Sequence, residues 1–197
     1  MLPQSTCRRY ELRDIRTMST SPRFCPDTSK ALEVIVWLAS RSRDIDVYHI
    51  VKACFYADKE HLSKHGRPIS GDNYDAAQYG PLAKTVYGLL RLDPIEMLAL
   101  GGNGNLPFSV DTRHRVTASR EPNLRRLSVS DIEALEVGLR HVAGKSFEDL
   151  FFETHEDPAY LNASGGRMDP RDFLYENLEN RDEKANDIAE TAELVAY

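Results

Sequence analysis

The densest group of side chains able to do chemistry is Asp58, His61 and His65. A helix would set them on one face, because residues three and four apart are neighbours there, and His-x-x-x-His can chelate a metal. A zinc protease would carry Glu directly after the first His, but Leu62 stands there and no third or fourth ligand is defined. The competing reading is that imidazoles near a helix C-terminus interact with its negative dipole end. His155-Glu156-Asp157 offers an acid, a base and an imidazole, yet neighbours in sequence do not share a helix face, and Asp157-Pro158 reads as a helix-ending turn. No Gly-x-Ser-x-Gly, P-loop or Gly-x-Gly-x-x-Gly occurs. The GGNGN run at 101–105 lacks the strand, helix and Lys of a phosphate cradle and reads as a plain loop. Cys54 sits on an apolar stripe, which suits a small core side chain better than a nucleophile. The expectation is therefore no catalytic residue, metal or cofactor, with a metal-dependent hydrolase built on His61 and His65 as the residual enzyme alternative.

The elements that position these groups read as mainly α: a compact multi-helix domain with one small β-hairpin. A chain of 197 residues, 41% of them hydrophobic, can bury one sizeable core. A first helix is expected from Ser29 as cap through Ala39, and a second through Val47, Ile50, Val51, Cys54 and Leu62 to a stop at Gly66. Residues 67–78 read as polar and turn-like, and Gly80-Pro81 as the opening of a third helix. Weak alternation over 106–111 and 113–118 suggests the hairpin. Ser130-Asp131-Ile132-Glu133 reads as a capping box, and Ser146 to Asp149 as another helix start. Residues 1–27 read as a flexible arm, with Met18 as a candidate true start, 28–178 as the domain, and 179–197 as an acidic, helix-capable tail through Ile188, Ala192 and Val195.

Charge and composition narrow the function classes. A net charge of −6 gives no chain-wide attraction to phosphate or anionic lipid. The local run Arg113, His114, Arg115, Arg120, Arg125 and Arg126 has no interleaved aromatics to stack bases, so nucleic acid is disfavoured. Three unpatterned cysteines suit a reducing, cytoplasmic setting, and the longest apolar run is too short to span a membrane. From Glu176 onward seven carboxylates stand against Arg181 and Lys184, a net of −5, which suggests a tail that masks a basic partner surface. Tyr56, Tyr74, Tyr79 and Tyr87 gather around charged and kinked elements, and Tyr and Arg are common interface anchors.

Residues 54–90, CFYADKEHLSKHGRPISGDNYDAAQYGPLAKTVYGLL, resemble the hallmark block of the Panacea, or SocA-like, antitoxin domain. LSVSDIEALEVGL at 127–139 and FFETHEDPAYLNA at 151–163 match its later part in order and spacing, so the resemblance covers roughly 29–163. It implies an α-helical antitoxin of a bacterial or prophage toxin-antitoxin module, non-enzymatic, neutralising by direct binding a toxin encoded nearby. The alternative it offers is an adaptor that delivers the toxin to an ATP-dependent protease. Carried over residue by residue, it implies a partner-facing or loop-defining set of Asp58, Lys59, Arg67, Asp72, Tyr74, Tyr79, Pro81 and Tyr87. The N-terminal arm, Gln78 and the acidic tail depart from the family's pattern.

Overall fold

The computed structural model of the chain describes residues 21–101 and 105–195. The Met18 start, most of the expected arm and residues 102–104 of the GGNGN loop lie outside the described residues. The fold is mainly α, and the described residues form two small antiparallel hairpins where one was expected. Helix α2 (Val47–His65) runs through the middle, its residues 50–59 all buried. It is framed by Asp46, whose carboxylate caps the His49 amide, and by Gly66, which ends it in the left-handed conformation as the Gly and Pro68 signals require. Helix α1 (Thr28–Arg41) buries Val34 to Ala39 on nearly all sides. Its cap is Asp27, not Ser29, because the Asp27 carboxylate is the group that reaches the Lys30 amide.

Helix α5 (Val129–Val142) crosses α2 at Gly138, where a Cβ would collide with the Ala53 carbonyl and press on Ala57. Only glycine lets the two backbones touch. The capping box sits two residues earlier than expected, on Ser128 and Asp131, because Asp131 is itself buried and tied to Lys30 at 2.7 Å.

The largest departure from the sequence reading lies at 74–83. Gly80-Pro81 does not open a helix; β1 (Tyr74–Ala77) pairs with β2 (Gly80–Ala83) in a tight hairpin, and α3 (Lys84–Leu90) starts only afterwards. The helix start is set by a distant group: Asp72 accepts from the amides of Thr85 and Val86 at 2.9 Å each. The short helix α4 (Pro94–Ala99) follows. The expected hairpin is present as β3 (Phe108–Val110) and β4 (Val116–Ala118), with Phe108 and Val116 turned into the core. Helix α6 (Phe147–His155) begins at Ser146 as the sequence indicates, and α7 (Pro158–Asn162) follows, capped by Asp157. A 3-10 turn at Pro170–Phe173 leads to α8 (Arg181–Val195).

Both ends of the described chain are less detached than composition suggests. Phe24 is in the core, and the carbonyls of Pro22 and Phe24 accept bonds from Arg167 and Asn73, so residues 21–27 belong to the packed body. In α8, Ile188 and Ala192 are fully buried, and such burial contributes about 2 kcal/mol for the isoleucine alone. Removing 179–197 would therefore open the core as well as remove charge. Among the described residues, no helix is long and apolar enough to cross a membrane.

Candidate partner-binding site

Helix α2 and the hairpin β1–β2 organise the site from the inside. Asp58 accepts from the Ile69 amide at 2.7 Å and the Tyr74 hydroxyl at 2.8 Å, while Asp72 takes the Asn73, Thr85 and Val86 amides. Among the described residues neither carboxylate forms an ion pair, and burial pushes the Asp58 carboxyl up to about 6 and that of Asp72 above its ordinary value. Cys54 is buried beside them, and burial pushes its thiol well above the usual range, with the nearby Asp58 and Asp72 adding to it. Asp131 is the opposite case. Burial works to raise it, but bonds from His61, Lys30 and Ser128 prevail and hold it low.

The hairpin is clamped on both edges. Met168 donates its amide to the Tyr74 carbonyl and Ala76 donates to Gly166 on one side, and the Tyr160 hydroxyl holds the Ala77 carbonyl. On the other side Lys52, 1% exposed, reaches from α2 to the Pro81 carbonyl at 3.0 Å, with its ammonium 4.9 Å from the Tyr48 ring centre. Among the described residues no carboxylate pairs with it, and burial depresses its pKa to about 7. Gly80 has φ +92°, and a Cβ there would stand 2.5 Å from Thr154 Oγ1 and 2.7 Å from Lys52 Nζ. The Tyr-Gly-Pro element is thus a close approach of hairpin, α2 and α6.

This arrangement divides the eight residues singled out by resemblance. Asp58, Lys59, Asp72, Tyr74 and Pro81 are buried, Lys59 in a 2.5 Å pair with Asp157. Of the two roles expected for the set, partner-facing or loop-defining, their burial suits the second, because their polar atoms are engaged with loop amides, a loop hydroxyl and the α7 cap. Three reach the surface, each beside a different element. Arg67 lies near Asp131 at the α5 start, Tyr87 near Arg91 on α3, and Tyr79 at the hairpin tip.

Only Tyr79 joins a larger feature. It is 55% exposed, and its ring centre is 6.0 Å from that of Phe147, itself 4.5 Å from Tyr48 and 5.9 Å from Phe151. The row continues from Phe151 to His155 at 4.0 Å and from His155 to Tyr160 at 4.4 Å. Phe152, 65% exposed, flanks it. These α6 residues were not in the sequence-derived set. The signal was present: a nine-residue helix that buries only Leu150 and Thr154 still carries three Phe, more than its inner stripe needs.

The other constellations are engaged in structural contacts. His61 donates from Nδ1 to the Arg67 carbonyl at 2.8 Å, and its Nε2 stands 3.3 Å from both Ser130 Oγ and Asp131 Oδ1, so neither nitrogen is free for a metal. Among the described residues no group of three or more His, Cys, Asp or Glu is placed to hold a metal ion. In 155–157, Asp157 caps α7 while the two His155 nitrogens face the Phe151 and Gln78 carbonyls. Of the basic run, Arg120 grips buried Glu33 with both terminal nitrogens, and Arg115 pairs with Asp111.

No curated protein and no solved structure matches the chain. The model of the antitoxin SocA-like, Panacea domain family matches residues 50–159, from the first turn of α2 into α7. The matched span holds the buried Asp58–Asp72 network, the β1–β2 hairpin and the aromatic row from Tyr79 to His155, and it covers more than half of the 197 residues. The chain belongs to the SocA-like antitoxin family with a Panacea domain.

Proposed function

We propose that the protein neutralises a cognate toxin by direct binding, with the β1–β2 tip and the outer face of α6 as the docking surface. The observation that carries this reading is Tyr79. It stands more than half exposed on a hairpin anchored to α2 and α7, and it is continuous with the uncovered rings of Phe147 and Phe152. Rigid aromatic side chains on a pre-organised support lose little entropy on binding, which is the property of interface anchors. Of the residues implied by resemblance, Tyr79, Arg67 and Tyr87 are available to a partner; Asp58, Lys59, Asp72, Tyr74 and Pro81 define the loop that presents them.

Co-expression with the adjacent gene tests this reading. The expected result is growth rescue and co-purification of the two products, both lost in a Tyr79→Ser, Phe152→Ser double variant whose melting temperature is unchanged. Rescue that persists in a host lacking its ATP-dependent proteases identifies blocking; rescue that disappears there identifies delivery for degradation. An adjacent product that is neither bound nor neutralised removes the antitoxin reading.

A further inference from the structure

Resting on that reading, we infer that the aromatic face of α6 takes a basic, apolar-anchored segment of the partner. The 3.6-residue period puts Glu148, Phe152 and Glu156 on one ridge, four apart, directly beside the Phe147–Phe151–His155 ridge. Glu148 and Glu156 are both exposed, and among the described residues neither has a cation opposite it. The stretch 147–157 contains five carboxylates and no Lys or Arg. The cations that approach from other elements are already engaged: Lys145 with Glu153, Lys59 with Asp157, and Lys52 buried on the Pro81 carbonyl. Asp149 is committed to the Ser146 capping box. What remains is an apolar ring surface with two unpaired negative charges bracketing its most exposed member.

That charge selects the occupant. Anionic lipid and nucleic acid are repelled by the Glu148 and Glu156 carboxylates. A second copy docking through the same face would bring the two acidic ridges together, and like charges opposed across an interface are destabilising. A Lys- or Arg-bearing segment with an aliphatic or aromatic anchor satisfies both halves of the surface, with the rings supplying packing and cation–π contact.

The test uses the full chain and the product of the adjacent gene, measured by surface plasmon resonance at about 50 and about 500 mM salt, across which surface pairs are progressively screened. Glu148→Lys with Glu156→Lys is expected to slow association and weaken binding about tenfold at low salt, and to flatten the salt dependence. Phe152→Ala is expected to speed dissociation and weaken binding by about tenfold or more at either salt. A complex whose affinity is the same in both variants overturns the inference while leaving the antitoxin reading intact, because the partner still binds. A charge reversal that strengthens binding, or one that alters the sedimentation of the chain alone, also overturns it. If the adjacent product does not bind even the unaltered chain, the antitoxin reading fails and the inference with it.

Discussion

The two hairpins draw their order from different sources. β3–β4 carries much of its own pattern: Phe108 and Val116 are buried, and Asp111 closes the turn by accepting from the Arg113 and Arg115 amides within a few residues, while bonds from the Val116 amide to the Ile45 carbonyl and from the Val47 amide to the His114 carbonyl dock it beside α2. β1–β2 has little of its own. Its strands read Tyr-Asp-Ala-Ala and Gly-Pro-Leu-Ala, poor in strand formers, and its geometry is imposed by Lys52, Tyr160 and the 166–168 segment from elsewhere in the chain, with Asp72 just before β1 fixing the start of α3. A hairpin that stands by local pattern tolerates change in its surroundings. One assembled by distant groups is precise only while all of them are in place, and that precision is what a presented Tyr79 requires.

The sharpest way to break the contrast is at Gly80. Gly80→Ala adds left-handed backbone strain and forces Thr154 and Lys52 aside, and is expected to cost about 3 kcal/mol, read as a fall in the urea midpoint. Next, Asp72→Ala strands the Thr85 and Val86 amides in the interior and is expected to cost about 2 kcal/mol. Asp111→Ala, the corresponding turn carboxylate of β3–β4, leaves its amides in water and is expected to cost about 0.5 kcal/mol. Equal losses for these two would erase the distinction between the hairpins.

An effect of opposite sign is expected at Lys52. Its folded pKa of about 7 lies below the ordinary 10.5, so between those values the unfolded chain holds the proton more tightly. Stability then climbs as pH rises from 7 toward 10.5, and the penalty is complete below 7. Lys52→Met should flatten that slope and raise stability at neutral pH by on the order of 1 kcal/mol, after subtracting the lost bond to the Pro81 carbonyl. Chemical denaturation at several pH values between these limits checks it.

The same contrast explains what could be read from the sequence. Helical periodicity with Gly and Pro stops located α2, Ser146 located α6, and alternation located β3–β4, because each signal is local. β1–β2 escaped notice, and Gly80-Pro81 passed for a helix start, because the groups that decide it are far away along the chain. At the site, nothing in the spacing of Asp58 and Asp72 separates a buried acceptor of amides from a surface carboxylate; only the position of Ile69, Tyr74 and Thr85 does. The Phe152 surface was open to counting, since α6 holds more aromatics than one buried stripe can use.

Cys54 gives the molecule a built-in stopwatch. Only thiolate reacts with an alkylating reagent, and this thiol is sealed against α2's neighbours beside two carboxyl groups that oppose its ionisation. It can be modified only in the moments when the signature block lifts open, whereas Cys25 is exposed and reacts from the folded chain. The difference in labelling rate between the two, followed by mass spectrometry, reads how often that block breathes, and a slowing when a partner is added would measure how firmly the partner holds it shut.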